Sequence, residues 1–255
     1  MILGVSADDI VVETPRVSIP AQTTGPETGP ETGMEITLAG ATVELRPSGS
    51  LFWPDRSLLC VGDLHLGRAE RIAREGGDLL PTYETIDTLD RLETDVVALA
   101  PRLLVCLGDC FDDLAAARSL SDEVLIRIGR LAAGRRLIWV AGNHDPGPME
   151  LPGSHLAELR LGLLNFRHIA LPRLAPGAGE VSAHYHPKAR LIRRGTRVTQ
   201  RCFLADGDRA ILPAFGTYTG GLDARDAAFD ALLAPNSQAF LLDTRVTAVA
   251  RNKLG

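Results

Sequence analysis

The sequence predicts an α/β protein built as a four-layer α/β/β/α sandwich, in which two packed mixed sheets are flanked by helices. Between residues 57 and 141, apolar segments of strand length alternate with segments whose apolar residues recur at helical spacing. This alternation is typical of parallel strands joined by crossover helices. From residue 163 onward short strands predominate, which indicates a second sheet packed on the first. We therefore expect residues 34–255 to form a single domain.

The elements of both sheets can be predicted from the apolar pattern. Strands of the first sheet are predicted at 35–39, 42–45, 51–53, 57–61, 103–107 and 137–141. Two helices are predicted between them, at 81–100 and 114–133. Strands of the second sheet are predicted at about 163–169, 180–185, 201–206, 209–213, 239–243 and 246–250. A last helix is predicted at about 223–234.

Residues 1–33 are predicted to be a disordered tail. The Gly-Pro-Glu-Thr repeat at 24–33 is too rich in proline, glycine and acids to bury the apolar surface that would offset the entropy of ordering. The tail holds five acids and one arginine, which account for −4 of the formal charge of −5. The rest of the chain is almost neutral, so any polyanion must bind to a local patch rather than to a generally basic surface.

The four cysteines indicate a reducing compartment. Cys60 and Cys106 lie in predicted core strands, and no two cysteines form a C-x-x-C pair. The N-terminus lacks the basic and apolar regions of a signal peptide, and no apolar segment approaches the roughly 18 residues that a membrane span needs. We expect a cytoplasmic protein with no membrane partner.

Three predicted core strands run directly into a Gly-Asp or Gly-Asn turn. These turns are Gly62-Asp63-Leu64-His65, Gly108-Asp109-Cys110-Phe111-Asp112 and Gly142-Asn143-His144-Asp145. Ligands of open α/β sheets bind at the carboxyl ends of the strands, and residues two apart in a strand face the same side. Asp63 and His65 are therefore expected to converge on one ion. Each turn alone would indicate only caps or turn carboxylates, but all three, followed by His184-Tyr185-His186, favour a metal site.

Two divalent ions in this position would have a clear chemical use. Carboxylate oxygens and imidazoles are suitable ligands for manganese, iron and zinc. Two ions about 3.5–4 Å apart can hold both ends of an in-line phosphoryl displacement. The carboxylates of Asp63 and Asp109 leave excess positive charge on the ions, and the neutral Asn143 preserves it, so the site would attract a phosphate. A water bridging the ions would be acidified and could attack phosphorus.

The same motifs resemble those of the calcineurin-like metallophosphoesterases. The resemblance covers residues 58–187 and implies the calcineurin-like fold with two divalent metal ions, most often manganese, iron or zinc. The first ion would be held by four residues of this chain at positions that match the family's ligands: Asp63, His65, Asp109 and His186. The second ion would be held by Asp109, Asn143, His184 and one further histidine, again by their match to the family's ligands.

The resemblance implies two further roles and leaves one ligand to choose. In the family, the histidine at the position of His144 contacts the phosphate and assists the leaving group. The aspartate at the position of Asp112 orients that histidine. The remaining ligand is His168, which closes a predicted strand, or His155, which lies in a Pro-Gly-Ser loop opening a predicted helix and fits a surface histidine better. Ala183 stands where the family usually has glycine, a difference that bears on the loop geometry and not on the ligands.

A basic segment follows the late histidines. Residues 188–201 contain no acid, and their cations are Lys188, Arg190, Arg193, Arg194, Arg197 and Arg201. Such a run could follow a nucleic-acid backbone, or it could be a solvated strand-and-turn face. Tyr218, in the glycine-rich loop at 211–223, could stack on a base, or it could belong to a packed loop.

These features also resemble a narrower group, the bacterial ligase-associated DNA damage response endonucleases. The resemblance covers nearly all of 35–251 and is carried by the short chain and by the segments 63–67, 166–168, 184–187 and 212–223. It implies a manganese-dependent phosphodiesterase that acts on DNA beside a DNA ligase and a helicase. Two alternatives stay open: a phosphodiesterase or phosphatase for a small nucleotide or other small phosphoester, and a catalytically silent interaction scaffold.

Overall fold

A computed structural model describes residues 33–77, 83–193 and 196–254 of the chain. The tail predicted at 1–33 lies outside this part except for Gly33. The predicted helix start at Pro81 and the basic residue Arg194 also lie outside the described residues.

Among the described residues, the first sheet has seven strands that pair in the order of the chain. They are β1 (Met34–Leu38), β2 (Ala41–Leu45), β3 (Leu51–Trp53), β4 (Leu58–Gly62), β5 (Leu103–Leu107), β6 (Arg136–Val140) and β7 (Ser154–Leu156). Pairings from β1 to β4 are antiparallel, and those from β4 to β7 are parallel. The carboxyl ends of β4, β5 and β6 therefore lie side by side, and the three Gly-Asp or Gly-Asn turns follow them.

The central strands of this sheet are apolar on both faces because both faces are covered. In β4, Leu58 and Cys60 pack with the second sheet, whereas Leu59 and Val61 pack with the helices. Burial on both sides explains why the sequence of this strand is a continuous apolar run rather than an alternating one.

Four α-helices in the described part of the chain lie on the outer face of the first sheet. They are α1 (Arg68–Arg74), α2 (Glu84–Leu99), α3 (Leu114–Arg118) and α4 (Asp122–Ala132). The prediction of one helix at 114–133 is wrong, because residues 119–121 between α3 and α4 are not helical. The hydroxyl of Ser121 accepts a hydrogen bond from the Val124 amide at 3.4 Å and begins α4, a capping role that serine favours over a helix interior.

The second sheet has eight strands among the described residues. They are β8 (Leu159–Leu161), β9 (Leu164–Phe166), β10 (Gly179–Ser182), β11 (Lys188–Arg193), β12 (Thr196–Ala205), β13 (Arg209–Ile211), β14 (Gln238–Leu242) and β15 (Val246–Ala250). The order is β15-β14-β12-β13-β10-β9-β8, with β11 paired to β12 beyond this path. β9, β10 and β13 are parallel neighbours, so the carboxyl ends of β9 and β10 also lie side by side.

One apolar cluster joins the facing sides of the two sheets. Leu107 and Val140 enter it from the first sheet, and Phe166, Val181 and Phe203 enter it from the second. The predicted fold class, with two packed mixed sheets and flanking helices, is confirmed.

Two local predictions about the second half are wrong. The helix predicted at 223–234 is a short 3-10 helix, Ala227–Phe229, within an irregular segment. The Asp226 side chain accepts a hydrogen bond from the Ala228 amide at 2.9 Å, and Phe229 is buried against the outer face of the second sheet. The segment therefore packs on the sheet through Phe229 rather than through a row of apolar side chains along a helix. The helix expected after the loop of His155 is also absent, because that residue lies in β7.

A search of the described helices finds none with the length and apolar character needed to cross a bilayer. All four cysteines are buried and unpaired.

Candidate metal centre

The candidate centre lies where the carboxyl ends of parallel strands from both sheets meet. A parallel bridge joins Gly62, the last residue of β4, to Ala214 in the segment after β13. The next residue of that segment, Phe215, donates its amide to the Gly62 carbonyl at 2.9 Å. The loops after β4, β5 and β6 therefore face the loops after β9 and β10 across the seam between the sheets.

The first group of ligand atoms comes from Asp63, His65 and His186. One ligand atom of each residue lies within 4.8 Å of the other two. The Nε2 atom of His186 is 3.4 Å from Asp63 Oδ1. These two atoms and His65 Nε2 are buried, and none has a hydrogen-bond partner among the described residues. Three buried polar atoms that face one another without partners are costly in a protein interior, and a cation would satisfy all three.

The second group of ligand atoms surrounds His168 Nε2. Asn143 Oδ1 lies 3.0 Å away, Asp109 Oδ2 3.2 Å and His184 Nδ1 3.2 Å. A single imidazole nitrogen makes one good hydrogen bond at a time, so it cannot satisfy two oxygen acceptors and a second imidazole nitrogen at once. The donor set fits a divalent cation, and it contains all four residues expected for the second ion. His168 rather than His155 is brought into the centre, since His155 stacks on Trp139.

Asp63 and Asp109 are the two carboxylates of the candidate centre. The carboxylate of Asp109 lies with His168 and His184, and the expectation that it serves both ions stays a prediction from the resemblance. Asp63 Oδ1 lies 3.4 Å from His186 Nε2 and 3.6 Å from His168 Nδ1. Burial opposes ionisation of Asp109, but the hydrogen bonds and positive charges of His168 and His144 together outweigh burial and lower its pKa to about 2.

The ligand loops use left-handed backbone rather than strand geometry. Nine described residues other than glycine have positive φ, and five of them are Asp63, His65, Asp109, His184 and His186. The prediction that Asp63 and His65 converge because a strand alternates is therefore wrong in its premise, since β4 ends at Gly62. Such conformations are costly and persist where the surrounding structure fixes them, most often at functional sites.

Ala183 is accommodated by a glycine on the other sheet. A Cβ atom added at Gly62 would lie 2.5 Å from the Cβ of Ala183, so the methyl group occupies space that Gly62 leaves free. The positive φ of this loop falls on His184, at 70°, and Ala183 needs none. The alanine therefore replaces the usual glycine without displacing the histidine.

Asp112 does not orient His144 through its carboxylate, as the resemblance implied. Its Oδ1 is 2.7 Å from His65 Nδ1, while the backbone carbonyl of Asp112 is 2.7 Å from His144 Nδ1. The carboxylate thus fixes the ring of His65 with Nε2 toward the first group, and the main chain fixes the ring of His144. A carboxylate or carbonyl on the second nitrogen is the usual support of a metal-binding histidine.

Two arginines of α1 hold the Asp112 carboxylate, and neither was predicted. Arg68 donates from Nη1 to Oδ1 at 3.0 Å, and Arg71 donates from Nε to Oδ2. Burial alone would raise the pKa of Asp112, but the bonds to His65 and the two arginines hold it well below its usual range. The only hint in the sequence was the position of these arginines in the segment after Gly67, with Arg68 directly after it and Arg71 three residues later.

His144 is the most accessible of the imidazoles near the centre. Its side chain is 37% exposed, and its Nε2 is 3.9 Å from Asp109 Oδ2. Its amide donates to Asp109 Oδ1 at 2.9 Å, which ties the β6 loop to the β5 loop. With Nδ1 held by a carbonyl, Nε2 is the nitrogen that faces the solvent side of the centre.

Asp145 is a structural residue of the centre to which the sequence gave no role. Its buried carboxylate accepts hydrogen bonds from the amides of Asp109, Cys110, Phe111 and Gly142, at 2.7–3.2 Å. The carboxylate therefore shapes the loop that carries Asp109. Burial raises its pKa despite these amides. Its place at the end of Gly142-Asn143-His144-Asp145 was the available signal.

The predicted nucleic-acid residues lie on and beside a hairpin formed by β11 and β12. Lys188 donates from Nζ to the Thr219 carbonyl at 2.6 Å, and Arg190 pairs with Asp223 at 3.1 Å. Arg197 is exposed, Arg193 is the last residue of β11, and Arg194 lies outside the described residues. Arg201 turns inward to the Ala214 carbonyl, and burial lowers its pKa to about 10. Tyr218 lies on the exposed loop next to Thr219.

Comparison with known proteins gives a family match. The sequence model described as calcineurin-like phosphoesterase matches residues 56–210, which is more than half of the chain. No curated protein sequence gives a significant match. Fold, site and family match together define a metal-dependent phosphoesterase. The chain belongs to the calcineurin-like phosphoesterase family.

The solved structures that resemble this chain include a nuclease and a phosphoesterase. The crystal structure of the nuclease MPE from Pseudomonas putida is 25% identical, with a TM-score of 0.66, and the match covers 86% of this chain and 100% of that chain. The phosphoesterase Yfce from E. coli is 16% identical, with a TM-score of 0.37, over 78% of this chain and 94% of that one. The second likeness is too weak to support an argument.

Proposed function

We propose that this protein is a phosphodiesterase that cleaves DNA at a centre of two divalent metal ions. The observation that carries the proposal is the convergence of two adjacent ligand groups at the seam of the two sheets. The first contains Asp63, His65 and His186, and the second contains Asp109, Asn143, His168 and His184. Similarity to a nuclease over the whole of that nuclease's chain supports DNA as the substrate class.

The residues of the centre would have two roles in hydrolysis, metal binding and proton donation. The two carboxylates and five neutral ligands would hold the ions and would leave the centre positively charged toward an incoming phosphodiester. Two bound divalent ions would supply an acidified water and would neutralise charge on the phosphate. His144, with Nδ1 held by the Asp112 carbonyl and Nε2 accessible, would contact the phosphate and give a proton to the leaving oxygen.

Manganese is the metal that we propose first. The ligand set combines carboxylate oxygens, one amide oxygen and imidazoles, and this mixture suits manganese and iron as well as zinc. The set contains no thiolate, because the four cysteines are buried elsewhere and unpaired. The same reduced thiols support the expectation of a cytoplasmic protein.

The charged ribbon of β11 and β12 supports a DNA partner. Lys188, Arg190 and Ile192 lie on one face of β11. They pair across the hairpin with Arg201, Thr199 and Arg197 of β12, respectively. Residues paired across antiparallel strands share a face, so Lys188, Arg190 and Arg197 form one stripe that starts next to the loop of Tyr218, while Arg201 turns inward to the Ala214 carbonyl. A stripe of cations in an otherwise nearly neutral domain is the pattern expected for a local phosphate-backbone contact.

Two broader expectations are also proposals. The shared apolar cluster of the two sheets supports residues 34–255 as one domain. Action beside a DNA ligase and a helicase stays a prediction from the family resemblance.

The test is hydrolysis with manganese, measured in parallel on a chromogenic phosphodiester, on single-stranded DNA and on nicked DNA. We expect turnover of the diester and DNA cleavage that falls steeply as salt rises, because backbone contacts release counterions. Turnover of the diester with DNA untouched would keep the metal centre and replace DNA by a small phosphoester. Absence of any hydrolysis by metal-loaded, folded protein would favour the scaffold instead.

A further inference from the structure

We propose that Tyr83 and Tyr218 form a stacking platform for a nucleobase beside the metal centre, and that this platform makes single-stranded DNA a better substrate than a small phosphoester. The inference rests on the proposed function and deepens it. It assigns a binding role to Tyr83, which no sequence motif singled out.

The two tyrosines form an exposed pair. Their hydroxyl oxygens lie 2.7 Å apart, and their ring centroids are 6.3 Å apart at an interplanar angle of 60°. Tyr83 is 57% exposed and Tyr218 is 43% exposed. The hydroxyl contact fixes the relative position of the rings while a large part of each ring stays open to solvent.

Short connections place both rings next to the ligand loop of β4. Tyr83 comes two residues before Thr85, whose hydroxyl accepts a hydrogen bond from the Gly67 amide at 2.9 Å. Gly67 is itself two residues after His65. Tyr218 comes two residues after Gly216, whose amide donates to the Asp63 carbonyl at 2.9 Å. Two residues span at most roughly 7 Å, so each ring starts within that distance of an atom bound to this region.

The loop that carries Tyr218 is held firmly at both ends. The Thr217 amide donates to Thr88 Oγ1 at 3.1 Å, and Arg91 donates to the Phe215 carbonyl at 2.6 Å. At the far end, a Cβ atom added at Gly221 would lie 2.0 Å from the His186 carbonyl oxygen, so the loop runs directly against a metal-ligand residue. A platform on such a loop is preorganised, which reduces the entropy lost on binding.

Packing does not explain the conformation of Tyr218. Its φ of 59° is left-handed, a region that bulky residues rarely adopt. Burial of the ring in a core would offset that cost, but the ring is close to half exposed. An unfavourable backbone conformation that presents an aromatic ring to solvent is the arrangement expected of a binding surface.

A cation adjoins the platform. Lys188 Nζ contacts the carbonyl of Thr219, the residue after Tyr218. Aromatic rings that stack bases beside cations that contact the backbone are the recurring design of single-strand binding sites. A small phosphoester lacks the neighbouring base and gains nothing from the rings.

The experiment compares an oligothymidylate with an abasic strand of the same length, because both carry the same backbone charge and only the first has bases. We expect wild-type protein with manganese to show a higher kcat/KM on the oligothymidylate. The double variant Tyr83→Leu with Tyr218→Leu should lose about five- to 150-fold in kcat/KM on that strand, the range measured for one stacked base. The preference for the strand with bases should disappear with it.

Two further variants serve as controls for the leucine variant. The double variant Tyr83→Phe with Tyr218→Phe retains both rings and should retain most of the preference, even if the leucine variant is unstable. Ile126→Ala alters an exposed apolar residue on α4 and should leave both strands unaffected. Equal cleavage of the two strands by wild-type protein would overturn the platform alone. Hydrolysis of a chromogenic diester with neither strand cleaved would overturn the DNA assignment and the platform together.

Discussion

The two sheets contribute different chemistry to one centre. The first sheet supplies the carboxylates of Asp63 and Asp109 and the amide of Asn143, together with His65. The second supplies only imidazoles, from His168, His184 and His186. Both sets stand at the carboxyl ends of parallel strands, so the same geometric rule operates twice, and both charged candidate ligands come from the first sheet.

The two sets are also held differently. The carboxylate loops are fixed by buried acceptors, such as Asp145, which binds four backbone amides. The histidine loop after β10 is fixed by a tight turn, in which the Tyr185 amide donates to the Ala183 carbonyl at 2.8 Å. The family resemblance implies that Asp109 serves both ions, so removing its charge should affect both, whereas removing an imidazole should weaken one coordination bond.

The largest effect is expected from Asp109→Asn. This substitution removes a negative charge that lies beside His168 and His184 without changing the size of the side chain. Turnover of a chromogenic diester should be abolished, and higher manganese should not restore it. Retained turnover in purified protein of verified metal content would contradict the assignment of Asp109.

His184→Ala is the matched change on the second sheet. Loss of a neutral ligand should weaken one ion, so turnover should fall at low manganese and recover in part at high manganese. A titration of turnover against manganese concentration distinguishes the two variants. Identical curves for the two variants would remove the distinction between the sheets.

His144→Ala should lower kcat by about 10²- to 10⁴-fold, the usual contribution of a positioned proton donor. Manganese binding should be unchanged, because His144 Nε2 lies on the accessible side of the centre, 3.9 Å from Asp109. Steady-state kinetics and calorimetric metal titration test the two halves of this prediction. Loss of metal along with activity would make His144 a ligand instead.

Arg71→Gln tests the support of His65 through Asp112. The substitution removes one of two arginines that hold the buried carboxylate, so manganese should bind about 10- to 100-fold more weakly, the usual effect of losing an outer partner of a ligand. Arg74→Gln is the control, since Arg74 pairs with the more exposed Asp113 at 2.7 Å. Equal manganese affinity in both variants would show that Arg71 does not support the ligand.

The smallest effect is expected from Arg197→Gln on the exposed ribbon. Loss of one phosphate contact should reduce the slope of log affinity for DNA against log salt by about 1, and the loss in affinity at fixed salt should be only a few fold. Fluorescence anisotropy at a series of salt concentrations measures the slope. An unchanged slope would place the DNA path elsewhere.

The sequence was most informative where a local pattern ends a strand. β4, β5 and β6 were predicted because each is an apolar run that ends in glycine and a polar ligand. The choice of His168 also followed from a strand end. Asp63 and His65 do lie together, but with left-handed backbone rather than in the alternating strand from which their convergence was predicted.

The rest depended on contacts between distant parts of the chain. Arg68 and Arg71 reach Asp112 across more than forty positions of sequence, and arginines at a helix start give no local sign of such a partner. The helix predicted at 223–234 does not form, because the segment instead buries Phe229 against the second sheet. Ala183 was interpretable only when Gly62 was seen opposite it.

The central claim is that ligands from both sheets hold two neighbouring ions. Calorimetric titration of the protein with manganese, combined with electron paramagnetic resonance of the loaded sample, tests this most directly. We predict two manganese ions per chain with the spin coupling expected at a separation of about 3.5–4 Å. In His184→Ala we predict one tightly bound ion. A single uncoupled ion in the wild-type protein would contradict the account.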